Sequence, residues 1–154
     1  MSAARLLQAA RDKGVRIAAA ESCTGGLIMA ALTDIAGSSD VVDRGFVTYS
    51  NAAKYEMLGV RPATLDQHGA VSEQVAAEMA QGALARSDAG LAVAVTGIAG
   101  PGGSEFKPEG RVCFGLASAE GTRTETVEFG AIGRAEVRRA TVAHALDMML
   151  HALQ

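Results

Sequence analysis

Three short polar segments each follow a predicted strand and contain residues able to do chemistry. They are residues 20–26 (AESCTGG), 49–54 (YSNAAK) and 96–103 (TGIAGPGG). In open α/β sheets, ligands bind outside the carboxyl ends of the strands, so neighbouring strands would bring these segments to one crevice. That crevice would hold a hydroxyl that can act as a nucleophile (Ser22), an amine that can act as a base (Lys54), and the hydroxyl groups of Tyr49 and Thr96.

Ser22 lies just after a strand, and Gly25 and Gly26 open the helix that follows. A nucleophile at this position would have backbone N–H groups beside it, from Cys23 to Gly25, and these could hold an oxyanion. The alternative is a structural one, in which Ser22 and Thr24 begin a helix and the glycines allow close packing. The residues alone leave both interpretations open.

Lys54 is the better candidate for a catalytic role, because it is one of only three lysines in the chain. An arginine cannot give up its proton near neutral pH, whereas a desolvated lysine can become a base once its pKa falls. The alternative is an ordinary exposed helix lysine. Tyr49 could orient the amine or pass a proton, or it could be a packing residue at a strand end.

The glycine-rich loop at residues 97–103 would let backbone amides approach an anion closely. It is not a P-loop, because no Gly-Lys-Ser/Thr follows, and turn formation explains its glycines equally well. Arg134, Arg138 and Arg139 could add positive charge for a phosphate. Because Arg138 and Arg139 are adjacent on a predicted helix, they cannot both face the same site.

The two cysteines, Cys23 and Cys113, form neither a disulfide framework nor a metal site. A cysteine amidase built on Cys23 would need a nearby histidine, and the converging segments contain none. The three histidines follow a turn or lie on the last helix, where surface or core-edge roles are expected. We therefore expect no metal and no cofactor.

The apolar runs and turn signals predict alternating strands and helices. The predicted strands span residues 15–20, 46–49, 91–95, 112–119 and 122–129, and the last two form a hairpin. The predicted helices span residues 2–13, 27–35, 51–58, 73–85 and 134–153, with a brief helical turn between Pro62 and Gly69. This order predicts a three-layer α/β/α fold with a mixed sheet of about five to six strands, in one domain over residues 1–154.

Composition limits the function classes. The chain is 49% hydrophobic but only 4% aromatic, with 31 alanines and 18 glycines, so its core must depend on close helix–sheet contacts. A net charge of −3 argues against nucleic-acid binding. No apolar run approaches the ~18 residues of a membrane span, and no signal peptide is evident, so we expect a cytoplasmic protein without a membrane partner. Its alanine-rich helices are compatible with a homo-oligomer.

Several longer strings resemble the CinA C-terminal domain family, the nicotinamide-nucleotide amidases. They are AESCTGG (20–26), TDIAGSS (33–39), GFVTYSN (45–51) with Lys54, HGAVS (68–72) and TGIAGP (96–101). The likeness covers about residues 15–150. Longer members of the family carry an N-terminal domain ahead of this one, which the sequence lacks, so we expect a stand-alone amidase.

The resemblance implies hydrolysis of the carboxamide of nicotinamide mononucleotide to nicotinate mononucleotide and ammonia, by a serine–lysine mechanism without metal. Carried over, Ser22 is the nucleophile, Lys54 the base, and Tyr49 a residue that assists catalysis. The substrate-binding positions that it implies are Glu21, Cys23, Thr24, Gly25, Thr96, Gly97, Gly100 and Arg138.

Other functions predict different behaviour or different spacing. A non-catalytic module that binds pyridine nucleotides would not release ammonia. In a cysteine amidase, thiol alkylation would stop activity. A short-chain dehydrogenase is rejected, because it pairs Tyr and Lys four residues apart on a helix, whereas Tyr49 and Lys54 are five apart across a strand end. A structural role has no positive feature in its favour.

Overall fold

The computed structural model of the chain describes residues 2–104 and 106–154, and in that part it contains five strands and six α-helices. In chain order they are α1 (Ser2–Lys13), β1 (Ile17–Glu21), α2 (Leu27–Thr33), β2 (Val42–Val47), α3 (Asn51–Leu58), α4 (Pro62–His68), α5 (Glu73–Ala85), β3 (Leu91–Gly97), β4 (Arg111–Ser118), β5 (Gly121–Glu128) and α6 (Arg134–Ala152). A 3₁₀ turn at Ser38–Asp40 precedes β2.

The strands form one mixed sheet in the order β2-β1-β3-β4-β5. β1 is parallel to both β2 and β3, while β4 is antiparallel to β3 and β5. This confirms the predicted mixed sheet and the predicted hairpin. The parallel pairing brings the carboxyl ends of β1, β2 and β3 to the same edge of the sheet.

The two faces of the sheet carry different side chains. Ile17, Val93 and Val95 lie in the larger core, which includes residues of α1, α2 and α6. On the other face, alanines of β1 and β3 contact α5, which also packs on β4. At Gly115 of β4, a Cβ atom would collide with the Ala76 carbonyl of α5. The close helix–sheet contacts expected from the composition are therefore present on this face.

Most predicted elements match the observed ones within two residues, and β2 is the exception. The prediction placed a strand at residues 46–49, but β2 begins at Val42, ends at Val47 and leaves Tyr49 in the following loop. β2 is an edge strand, and only Val42 of it is buried. An edge strand with little buried surface lacks the apolar run on which the prediction depended. Among the described residues, no helix has both the length and the apolar character needed to cross a bilayer.

Candidate active site

The site lies at the sheet edge where β1, β2 and β3 end. Ser22 is the first residue after β1, and its N–H donates to the Val95 carbonyl of β3 at 3.2 Å. On the other side of β1, the Thr48 N–H donates to the Glu21 carbonyl at 2.8 Å. These bonds extend the strand pairing by one residue on each side, so the segments after β1 and β2 and the end of β3 meet, as the sequence predicted.

Lys54 and Ser22 form a buried pair. The Lys54 Nζ lies 3.0 Å from Ser22 Oγ and 2.9 Å from the Thr48 carbonyl, and it donates to both. Lys54 is 1% exposed and Ser22 8% exposed. Lys54 lies in the first turns of α3, a helix whose start is fixed by the Ala53 N–H donating to Ser50 Oγ. An amine in this position, once neutral, can accept the hydroxyl proton.

The pair opens onto a cavity of about 280 Å³. Of the residues predicted for the site, six line this cavity: Ser22, Cys23, Tyr49, Lys54, Thr96 and Gly97. Four residues that were not predicted for the site also line it: Asn51, Ala70, Val71 and Ser104. Asn51 was expected to cap α3, but Ser50 does so. We call residues 22–25 the nucleophile turn, because they follow β1 directly and carry Ser22, the residue predicted to be the nucleophile.

The exposed side of the cavity, called the rim here, consists of Tyr49, Asn51, Ser104 and Arg134. Tyr49 is 63% exposed, and its hydroxyl accepts a hydrogen bond from Arg134 Nη2 at 3.1 Å. Arg134 Nη1 donates to the Gly100 carbonyl at 2.7 Å. Arg134 is therefore a cation at the mouth of the cavity, while Gly100 supports it from outside the lining.

The other two arginines of α6 point elsewhere. Arg138 Nε donates to the Cys23 carbonyl at 3.1 Å, and its Nη2 donates to the Thr24 carbonyl at 3.2 Å. It holds the nucleophile turn from behind and does not line the cavity. Arg139 forms an exposed ion pair with Glu136. Of the three candidates, Arg134 is the one that lines the cavity.

Glu21, Thr24 and Gly25 also lie behind Ser22 and not in the cavity lining. Glu21 is 0% exposed, and its carboxylate accepts hydrogen bonds from the chain itself. The Gly25 N–H donates to the Ser22 carbonyl at 3.1 Å, so it is not free to hold an oxyanion. Of the backbone N–H groups from Cys23 to Gly25 that were expected to hold an oxyanion, the Gly25 N–H is therefore not available.

The glycine-rich loop is braced by a carboxylate of its own chain. Glu109 Oε1 accepts from the Gly102 N–H at 2.6 Å, and the carboxyl group lies where a Cβ on Gly100 would have to go. The backbone amide of Gly102, which was predicted to be available to an anion, is thus already paired with Glu109. Of the two loop residues predicted to bind substrate, Gly97 and Gly100, Gly97 lines the cavity.

The cavity wall formed by Ala70 and Val71 is held from two sides. Thr96 Oγ1 donates to the Ala70 carbonyl at 2.8 Å. Lys107 Nζ donates to the carbonyls of His68 and Val71. The sequence signal for this wall is the string HGAVS at residues 68–72, for which no role in the site was predicted.

Cys23 lines the cavity beside Ser22, but its thiol is poorly suited to attack. Burial raises the pKa of the Cys23 thiol to about 11, so it is protonated at neutral pH. None of the three histidines is among the described residues of the lining. In the described part of the chain, no group of three or more His, Cys, Asp or Glu side chains is placed to hold a metal ion.

Known proteins resemble this chain in sequence and in structure. A CinA-like protein of Chlorobium phaeobacteroides (strain BS1) is 60% identical over 121 residues, which are 76% of this chain and 29% of that protein. The nicotinamide-nucleotide amidohydrolase PncC of Escherichia coli (strain K12) is 52% identical over 143 residues, covering 92% of this chain and 87% of the relative.

Among solved structures, the competence/damage inducible protein CihA from Agrobacterium tumefaciens superposes with a TM-score of 0.94 at 55% identity. The match covers 99% of this chain and 93% of that one. The family model for the CinA C-terminal domain matches residues 1–153. Our chain therefore belongs to the CinA C-terminal domain family.

Proposed function

We propose that this protein hydrolyses the carboxamide of nicotinamide mononucleotide, giving nicotinate mononucleotide and ammonia, with Ser22 as nucleophile and Lys54 as base. The observation that carries the proposal is the 3.0 Å contact between the buried Lys54 Nζ and Ser22 Oγ at the base of an open cavity. A similar protein that aligns with 92% of this chain is named a nicotinamide-nucleotide amidohydrolase, which supports the choice of substrate.

The reaction begins when neutral Lys54 accepts the Ser22 proton and Ser22 Oγ attacks the carboxamide carbon. The tetrahedral intermediate collapses as Lys54 returns this proton to the departing nitrogen, which leaves as ammonia. Lys54, neutral again, then takes a proton from water, which attacks the acyl ester on Ser22. The second intermediate collapses as Lys54 returns this proton to Ser22 Oγ, and the product acid leaves and ionises to the carboxylate. One group thus serves as base and as acid in both halves of the reaction.

The surroundings of Lys54 suit a base. Burial penalises the charged form of an amine, and Lys54 is 1% exposed. The Thr48 carbonyl at 2.9 Å fixes the amine through one of its N–H bonds. The side chain is thereby oriented toward Ser22 before substrate binds, so little reorganisation is needed in the transition state.

The oxyanion of the intermediate needs a donor close to Ser22. The backbone N–H of Cys23 follows the nucleophile directly, and Cys23 lines the cavity. Arg138, bonded to the carbonyls of Cys23 and Thr24, fixes the peptide planes of the nucleophile turn. A donor held in place in this way stabilises developing charge without first having to reorient.

The phosphate of the substrate is assigned to Arg134. It is the exposed cation among the described residues that line the cavity, because Lys54 is buried beside Ser22. A guanidinium offers several N–H donors to a phosphate, and it can give up its bond to the Gly100 carbonyl or the Tyr49 hydroxyl to do so. Tyr49 remains at the mouth, where its exposed ring can contact the pyridine or the ribose.

The wall and floor residues shape this space. Thr96 fixes Ala70 through its hydroxyl, and Gly97 lies at the end of β3, where a side chain would collide with Arg111 and Val112 of β4. Each step of the proposed reaction needs only water and the side chains and backbone groups of the chain itself. Treatment with a chelator is therefore expected to leave turnover unchanged.

The test is a measurement of ammonia and nicotinate mononucleotide formed from nicotinamide mononucleotide by the purified chain. We expect the two products in equal amounts, much weaker action on free nicotinamide, and no release by the Ser22→Ala variant. A binding module without catalysis would bind the nucleotide and release nothing. Equal efficiency on free nicotinamide would contradict the assigned phosphate contact.

A further inference from the structure

A buried carboxylate lies directly before the nucleophile and has no place in the reaction scheme. Glu21 is the last residue of β1 and is 0% exposed. Its Oε1 accepts from Thr24 Oγ1 at 2.5 Å, from the Gly26 N–H at 3.1 Å and from the Ile28 N–H at 3.0 Å. Its Oε2 accepts from the Met29 N–H at 3.0 Å. All four donors belong to the chain, so the carboxylate is fully used.

These donors belong to the nucleophile turn and to the start of α2. The residue before α2 is Gly26, which has no side chain to cap the helix, and its φ of 114° is one that glycine adopts readily. Glu21 therefore supplies the cap from the end of β1, reaching across the turn that carries Ser22. A carboxylate at this end of a helix is also favoured by the helix dipole.

Glu21 also connects the two members of the catalytic pair. Its backbone carbonyl accepts from the Thr48 N–H at 2.8 Å, and the Thr48 carbonyl accepts from Lys54 Nζ at 2.9 Å. On the opposite side of the nucleophile turn, Arg138 holds the carbonyls of Cys23 and Thr24. The turn is thus held between an anion that binds donors and a cation that binds acceptors.

From this geometry we infer that Glu21 is a positioning residue for the proposed reaction. Its carboxylate fixes the nucleophile turn so that the Ser22 hydroxyl meets Lys54 and the Cys23 N–H meets the oxyanion. The inference rests on the proposed function, and it assigns Glu21 a role other than contact with substrate. A displacement of about 1 Å at a reacting group can lower a rate about 100-fold, so such a residue affects turnover without touching the substrate.

The ionised form of Glu21 is needed because both of its carboxylate oxygens accept hydrogen bonds. A carboxylate is an acceptor at both oxygens, whereas a glutamine has one acceptor oxygen and a donor NH₂. In Glu21→Gln, one oxygen site becomes a donor that faces backbone N–H groups or the Thr24 hydroxyl. The fold can accommodate the loss of one acceptor oxygen if the nucleophile turn moves. The same movement would displace Ser22 from Lys54 and so lower the rate of the reaction.

The experiment compares Glu21→Gln with Glu78→Gln as a matched control. Glu78 accepts from the Arg61 N–H at 2.8 Å and from the Thr64 hydroxyl at 2.6 Å, so it caps α4 in a similar way, away from the nucleophile turn. Both variants should lower the melting temperature. At a temperature well below both midpoints, Glu21→Gln should lower kcat about 30- to 100-fold with KM within about threefold. Glu78→Gln should keep kcat within about twofold of the wild type.

A second pair of variants keeps the test valid if Glu21→Gln does not fold. Thr24→Val removes the donor of the 2.5 Å bond, whereas Thr24→Ser keeps a hydroxyl there. We expect kcat to fall in the first and to recover in the second. An unchanged kcat in Glu21→Gln and Thr24→Val, with only the melting temperature lowered, would show a merely structural role and overturn the inference. A raised KM with unchanged kcat would mean substrate binding instead.

A measurement that needs no turnover distinguishes failure of this inference from failure of the proposed function. A fluorophosphonate probe labels an activated serine, and mass spectrometry measures the rate of labelling at Ser22. If the wild type labels but releases no ammonia from nicotinamide mononucleotide, the proposed substrate is wrong, while slower labelling of Glu21→Gln still supports positioning. If labelling is equally fast in both, or absent from the wild type, the inference fails.

Discussion

The nucleophile turn and the rim face the same cavity but are built in opposite ways. In the turn, Ser22 is 8% exposed, and the backbone around it is fixed by Glu21, Val95 and Arg138. At the rim, Tyr49 is 63% exposed, and its hydroxyl accepts a hydrogen bond from the exposed Arg134 side chain. Groups that break bonds need fixed geometry, whereas groups that admit a substrate need access to solvent. The two regions should therefore respond differently to substitution.

The largest effect on turnover is expected from a substitution in the nucleophile turn. Ser22→Ala should abolish turnover while leaving the fold and nucleotide binding intact, because a single hydroxyl at the end of a strand contributes little to stability. The measurement is ammonia release under single-turnover conditions, with substrate affinity determined separately by calorimetry. Residual turnover close to that of the wild type would show that another group is the nucleophile.

At the rim, substitution should affect binding more than chemistry. Arg134→Ala should raise KM for nicotinamide mononucleotide about 10- to 100-fold, since a hydrogen bond to a charged group contributes about 1.5–3 kcal/mol. The effect on kcat should be small. Arg139→Ala is the matched control, because Arg139 lies on the same helix in an exposed ion pair with Glu136.

A substrate without a phosphate group tests whether Arg134 binds the phosphate of nicotinamide mononucleotide. With nicotinamide riboside, wild type and Arg134→Ala should have similar KM values, because the group that Arg134 binds is missing. An equal rise in KM for both substrates would show instead that Arg134 acts by ordering Tyr49 and Gly100.

The smallest effect on turnover is expected at Cys23, although this residue adjoins Ser22. With its pKa raised to about 11, its thiol is about one part in a thousand thiolate at pH 8, so iodoacetamide should react slowly there and faster as the pH approaches 11. Cys23→Ala should keep most of the activity, because the proposed role of Cys23 uses its backbone. Loss of turnover in this variant, with Ser22→Ala still active, would invert the assignment of the nucleophile.

The sequence predicted the layers and the meeting of Ser22, Lys54, Tyr49 and Thr96, because buried strands have a strong apolar signal and parallel strands end at one edge. It could not choose between Arg134 and Arg138. The two arginines are four residues apart and lie on the same face of α6, so helical periodicity predicts the same orientation for both side chains.

Other features had no sequence signal of their own. The burial of Glu21 depends on backbone N–H groups of Gly26, Ile28 and Met29, and any residue type except proline supplies such donors. The pairing of Glu109 with Gly102 depends on the path of the loop, which spacing along the chain does not define. Contacts of side chains with backbone are therefore where the sequence was least informative.

The central claim is that Lys54 acts as the base for Ser22, and a comparison of Lys54→Ala with Lys54→Arg at saturating nicotinamide mononucleotide tests it most directly. Both variants should lose about 100- to 10,000-fold in kcat, because an arginine keeps the charge but cannot deprotonate. Wild-type activity should rise with pH as the amine loses its proton. Substantial activity in Lys54→Arg would mean that Lys54 acts only through its charge and would contradict the account.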